Sequence, residues 1–153
     1  MAYQFCPYCG AVHRRVSRVC RECGYPTIIS DKKMQSLAQR LYDCDFNVLA
    51  ATSTISTDDE CRKSVRLSIE FRECYDIDRV FAGLPEGWSA YHTFSIHSGI
   101  VVDDVTELNC SFAYFHMCFC TVEDEIQVEV DKMMDWLRNS GHISVLRLAG
   151  FFL

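Results

Sequence analysis

Two short pieces, Cys6-Pro-Tyr-Cys9-Gly10 and Cys20-Arg-Glu-Cys23-Gly24, constrain this chain more than anything else in it. Ten residues separate the inner cysteines Cys9 and Cys20. Each Cys-x-x-Cys turn presents two sulfurs to one point in space, and four thiolates in a tetrahedron suit Zn2+. Gly10 and Gly24 can take the positive φ that turns backbone N–H groups toward sulfur. Four thiolates leave no open position for water, so the expected role is one structural zinc held by Cys6, Cys9, Cys20 and Cys23. Iron fits the same sulfur tetrahedron. His13, between the two pieces, is expected to be exposed rather than a ligand.

This paired arrangement resembles the zinc-ribbon family, whose Cys-x-x-Cys-Gly knuckles it matches at all four ligand positions over residues 5–25. The resemblance implies a metal. It leaves the role open, because zinc ribbons serve as stabilising caps, protein-docking modules and nucleic-acid-binding modules. The expected organisation is a zinc ribbon at residues 1–29 and a second domain at 30–153.

Ten cysteines would suit a disulfide scaffold in a secreted protein, but the start Met-Ala-Tyr-Gln-Phe-Cys shows no basic, apolar leader. No apolar run reaches the roughly 20 residues that span a bilayer. A reducing, cytoplasmic setting with free or metal-bound thiols and no membrane association is therefore expected. Charge is uneven. Residues 1–30 carry four arginines against one glutamate, a net +3, whereas residues 31–153 carry eleven basic and twenty acidic side chains, a net −9. A body at −9 repels a phosphate backbone, so any contact with nucleic acid is expected to start at Arg14, Arg15, Arg18 and Arg21.

Along the second domain, Ser30 offers an N-cap, and Met34, Leu37, Ala38 and Leu41 recur at helical spacing, which predicts a helix over 31–44. Phe46–Ile55 reads as a strand. Val65, Leu67, Ile69 and Phe71 alternate with Arg66, Ser68, Glu70 and Arg72, the pattern of a strand buried on one face. A short helical turn is expected over 76–84, strands over 88–100 and 108–121, and a turn at Asp103-Asp104. Thr121, with Glu123, Asp124 and Glu125 behind it, predicts the start of a helix whose apolar stripe is Ile126, Val130, Met133, Met134 and Leu137. Gly141 would end it, and the apolar tail 143–153 is expected to pack on the core or on a partner. The fold expected is α+β: an N-terminal zinc ribbon, then a mostly antiparallel sheet of about four strands with helices packed on one face.

Other chemistry-bearing groups are scattered. Alternation places Cys110, Phe112, Tyr114, His116, Cys118 and Cys120 on one face of a strand. With His92, His97 or Cys74 they could form a second metal or catalytic site, although buried cysteines most often act as small hydrophobes. A thiol nucleophile among Cys44, Cys61, Cys74, Cys118 or Cys120 lacks an adjacent base other than His116. The acidic groups 58–60, 103–104 and 123–125 fit solvated turns and a helix start. No phosphate-binding glycine loop, His-Glu-x-x-His or Gly-x-Ser-x-Gly is present.

With no complete catalytic constellation, the reading is a non-catalytic, zinc-containing interaction or regulatory protein that docks on another protein. In a sharper form, its acidic body would inhibit a nucleic-acid-binding protein by imitating phosphates. Its open sheet face would include Arg66, Arg72, Tyr91, His97, Tyr114 and His116. The alternatives are an enzyme with a His/Cys site on the sheet face and a nucleic-acid binder acting through the ribbon arginines.

Overall fold

The structure is a computed structural model and describes residues 2–14, 17–60, 62–97, 100–114 and 121–140. Its elements run β1 (Tyr3–Phe5), β2 (Val12–His13), β3 (Ile28–Ser30), α1 (Gln35–Asp43), β4 (Val48–Thr57), β5 (Lys63–Phe71), α2 (Ile77–Val80), β6 (Trp88–His97), β7 (Ile100–Tyr114) and α3 (Val122–Asn139). All seven strands form one sheet in the order β2-β1-β3-β4-β5-β7-β6.

This overturns the expected four-strand layout. The sheet is mixed, because β3 pairs parallel to β4 through Ile29↔Ala50 and Ser30↔Ala51, while the other pairs are antiparallel. Three of its strands are two or three residues long and too short to show alternation, so the region around the cysteines reads as loops. Nor is there a layer of comparable helices. Among the described residues α1 has nine residues, α2 four and α3 eighteen.

The alternation in β5 is realised as expected. Val65, Leu67, Ile69 and Phe71 are buried, and they share a core with Leu37 and Leu41 of α1 and Ile126, Val130 and Met133 of α3. Phe5 and Ile28, from β1 and β3, lie in the same core. At one end, Phe71 contacts the rings of Phe46, Tyr75 and Phe81 at centroid distances of 5.5, 5.3 and 5.6 Å. Trp136 stacks on Phe81 and donates its indole N–H to the Ala82 carbonyl at 3.1 Å.

Asp103-Asp104 does not form a turn. Both residues lie within β7, where Asp104 has φ of 52° and the pairing with β6 shifts between Thr93 and Ser95. The acidic pair thus marks a bulge, which absorbs extra residues without ending the strand. Correspondingly, β6 ends at His97 and the next strand already begins at Ile100.

The start of α1 also differs from expectation. Ser30 donates its hydroxyl to the Asp31 carbonyl, and it is the Asp31 carboxylate that organises the turn. Its Oδ1 accepts from the N–H groups of Lys33 (3.1 Å) and Met34 (3.0 Å), and its Oδ2 accepts from the N–H (2.6 Å) and hydroxyl (2.8 Å) of Ser53 on β4. One buried carboxylate therefore joins the entry to α1 to the middle of β4. Replacing it with an amide of the same shape turns an N–H2 group toward backbone donors. Asp31→Asn is expected to cost about 2 kcal/mol in a denaturant titration.

For α3, Thr121 accepts from the Asp124 N–H and Asp124 accepts from the Thr121 N–H, each at 3.1 Å, a reciprocal capping box. Thr121→Ala is expected to remove about 1 kcal/mol, read as a fall in Tm of about 3 °C. The expected Gly141 stop and the tail 143–153 lie outside the described residues.

Candidate metal centre

The two cysteine turns are built alike. In the first, Cys6 N–H donates to the Ala11 carbonyl and Gly10 N–H to the Cys6 carbonyl, both at 2.8 Å. In the second, Cys20 N–H donates to the Tyr25 carbonyl at 2.7 Å and Gly24 N–H to the Cys20 carbonyl at 2.8 Å. Each loop closes only because its glycine adopts a left-handed conformation, φ +80° at Gly10 and +77° at Gly24. A Cβ at either position would meet nothing within 4 Å, so backbone strain alone selects glycine there.

The strands hold the two turns against each other. β1 and β2 pair through Gln4↔His13 and Phe5↔Val12, and β3 closes on β1 from the other side through Phe5↔Ile28. The Gln39 side-chain amide on α1 donates to the Pro7 carbonyl at 2.9 Å and ties the first turn to the body.

As a result Cys6, Cys9, Cys20 and Cys23 converge, with all four sulfurs within 4.8 Å of one another. The turns contact each other crosswise, Cys6 Sγ to Cys23 Sγ at 3.3 Å and Cys9 Sγ to Cys20 Sγ at 3.6 Å. A zinc tetrahedron with bonds of about 2.3 Å has edges of about 3.8 Å, so the sulfurs stand close to the spacing the ion demands. Cys6 and Cys20 are buried and Cys9 is exposed. Among the described residues these four form the one group of His, Cys, Asp or Glu close enough to hold a metal.

Charge has been arranged unequally within the cluster. Burial raises the Cys20 thiol, but the Glu22 N–H at 3.4 Å, the His13 ring at 3.4 Å and neighbouring donors outweigh it and bring it to about 6. Cys23 goes the other way: the Tyr25 backbone lowers it, yet burial and three adjacent thiols push it up to about 12. The site supports its first thiolate readily and resists the last. A divalent cation at the centre removes that resistance, since metal-bound thiols are held deprotonated.

His13, expected to be exposed, stands closer to the cluster than sequence reasoning placed it, though outside the four-cysteine group. It is half-buried, and its Nε2 lies beside Cys20 Sγ, where a proton on that nitrogen makes it a donor to the thiolate. The signal lay in its strand register opposite Gln4, which the two-residue strand was too short to reveal. Two tyrosines also come together across the turns. Tyr8 and Tyr25 stack with ring centroids 4.4 Å apart, and both are exposed, Tyr8 by 63%.

Among the described residues the remaining candidates do not assemble. His92 Nε2 lies 3.0 Å from the Tyr75 carbonyl, a bond that occupies the ring locally. Cys110 is buried on the core face and donates to Glu129 Oε2 at 3.6 Å; burial, then the Glu129 charge, pushes its thiol up to about 12, which makes it inert as a nucleophile. Burial likewise raises Cys44 and Cys74. Tyr114, expected on the open face, is buried in the core, because its partner Lys63 shares the side of β5 that carries Val65. Arg72 is half-buried and donates to the Thr27 carbonyl at 2.8 Å. Of the predicted open-face residues, Arg66 and Tyr91 meet there at 3.2 Å, and Ser68 beside them donates to Glu107 at 2.5 Å. Arg15, Cys61, His116, Cys118 and Cys120 lie outside the described residues.

Acidic side chains are interleaved with basic ones. Arg62 pairs with Asp58 and Glu60, Arg79 with Asp76, Lys132 with Glu129, Arg138 with Asp135, and Lys33 with Glu123. This scatter gives no support to a phosphate-imitating surface. No helix among the described residues is long and apolar enough to cross a membrane. Compared with known proteins, the chain matches no protein-family model, no curated protein and no solved structure.

Proposed function

We propose that this chain is a non-catalytic zinc protein: a ribbon at residues 1–29, closed around one Zn2+ by Cys6, Cys9, Cys20 and Cys23, supports the domain at 30–153 and docks on another protein. The convergence of four sulfurs within 4.8 Å carries the reading. Four thiolates saturate a tetrahedral ion, which assigns the metal to structure rather than to catalysis. The docking part draws on the ribbon surface, where Tyr8, Val12, Val19 and Tyr25 are all exposed on a module of under thirty residues.

Elemental analysis of protein purified without added metal tests this. The expected result is one zinc per chain in the wild type and none in Cys6→Ser/Cys9→Ser. Two metals per chain, one surviving in the variant, would establish a second centre and bring forward the enzyme reading.

A second reading is favoured by one observation, the exposed Tyr8–Tyr25 stack on a module that also carries exposed Arg14, Arg18 and Arg21. Aromatic platforms beside arginines hold single-stranded nucleic acid. On that reading, affinity for an oligothymidylate falls steeply with salt, and Arg18→Ala/Arg21→Ala flattens the slope by about 2. Binding that is absent at low salt removes it.

A further inference from the structure

We propose that Cys9 is a modification site: the cluster sulfur that a hydroperoxide in solution oxidises first, ending in a Cys9–Cys20 disulfide that takes two of the four ligands from the metal. The proposal rests on the zinc reading, because it is the bound cation that keeps all four sulfurs as thiolates, and the thiolate is the nucleophile.

Access separates the four sulfurs. Cys6 is fully buried and Cys20 is 2% exposed, whereas Cys23 is half-buried and Cys9 is exposed, between the exposed Tyr8 and Gly10. Hydrogen bonding separates them in the same sense. Cys20 Sγ stands beside the Glu22 N–H and the His13 Nε2, each at 3.4 Å, and beside the Cys23 N–H. Cys9 has the Ala11 N–H for its backbone donor. Each donated proton draws charge from sulfur and lowers its nucleophilicity, so the open thiolate is also the more reactive of the two.

Proximity selects the second sulfur, since Cys9 Sγ contacts Cys20 Sγ at 3.6 Å. In the first step the Cys9 thiolate attacks a peroxide oxygen. An S–O bond forms, the O–O bond breaks and an alkoxide or hydroxide leaves, so sulfur loses two electrons and the peroxide gains them. In the second step the Cys20 thiolate attacks the Cys9 sulfur, the S–S bond forms and hydroxide leaves. Both leaving oxyanions take a proton from water. An S–S bond of about 2.05 Å pulls both sulfurs out of the tetrahedral spacing. Cys6 and Cys23 remain, and two thiolates do not complete a structural zinc site.

The change reaches the surface proposed for docking. Tyr8 lies inside the first cysteine turn and Tyr25 follows the second, and they stack across the two turns at 4.4 Å. Joining Cys9 directly to Cys20 resets the spacing of those turns, and reduction in the presence of zinc restores it.

Hydrogen peroxide titrated into the full, zinc-loaded chain tests the proposal. Zinc content of the protein as purified is measured first. Release of zinc is then followed with a chromogenic chelator, sulfenic acid is trapped with dimedone, and disulfides are mapped by peptide mass spectrometry. The expected result is trapping at Cys9 at least about tenfold ahead of Cys6 and Cys20. One zinc is released for each Cys9–Cys20 disulfide, and dithiothreitol with added zinc reverses the change. Cys110, which is buried, stays unmodified and shows that the reagents are reading the folded chain. First trapping at any other cysteine, a disulfide other than Cys9–Cys20, or zinc release with no disulfide would each overturn the proposal. A chain that purifies without zinc overturns the zinc reading and this proposal with it, whereas a zinc-loaded chain that reacts elsewhere overturns only this proposal.

Discussion

Chelating the metal, or replacing Cys20 by serine, is expected to lower the Tm by about 10 °C and to abolish zinc content, an effect much larger than a loop-sized module suggests. The reason is that the ribbon is not a pendant. β1 lies between β2 and β3, β3 pairs with β4, and Phe5 and Ile28 lie in the main core with exposures of 0% and 2%. Opening the four-cysteine centre frees β1 and β3 and uncovers both side chains. At about 2 kcal/mol for each buried side chain, roughly 4 kcal/mol is lost. For a chain of this size each kcal/mol moves Tm by about 2–4 °C. Hydrogen exchange should show protection lost first in β1 and β3 and retained in β5 and β7. A Tm unchanged by chelation, in protein that contains no zinc before treatment, would refute the metal assignment.

Phe71→Ala is the second large effect. Phe71 is fully buried where three other rings converge, and its neighbours Phe46, Tyr75 and Phe81 also contact one another at 5.4 to 6.0 Å. A cluster whose rings brace each other cannot collapse into the space one of them leaves. The cost is therefore expected at the upper part of the range for a buried phenylalanine, about 4 kcal/mol, seen as a lower urea midpoint with an unchanged slope. Phe71→Leu keeps most of the volume and should cost about 1 kcal/mol. Equal losses in the two variants would show that the cluster repacks freely and that its ring contacts do not organise this end of the core. Zinc content should be unaffected in both, since Phe71 belongs to a different ring cluster from Tyr8 and Tyr25.

Particular residues show where local reading succeeds. The β5 alternation, the α3 stripe and the Thr121 cap were legible because each is written in one continuous segment at a fixed period. The four cysteines were legible for a related reason: spacing within each Cys-x-x-Cys turn determines where two sulfurs point. Asp31 was not, since two of its four bonds come from Ser53, twenty-two residues away. His13 and Tyr114 failed alike, the first because its neighbour Cys20 belongs to another turn, the second because its face depends on pairing with Lys63.

What the amino-acid order determined unaided was the local content: two glycine-closed cysteine turns, one amphipathic strand, one capped helix. Only the tertiary structure decided that β1 and β3 extend the body's sheet to seven strands, and that β3 runs parallel to β4. Strand pairing is made of backbone hydrogen bonds between distant segments. Every residue but proline carries the same donor and acceptor, so side-chain order alone does not name the partner.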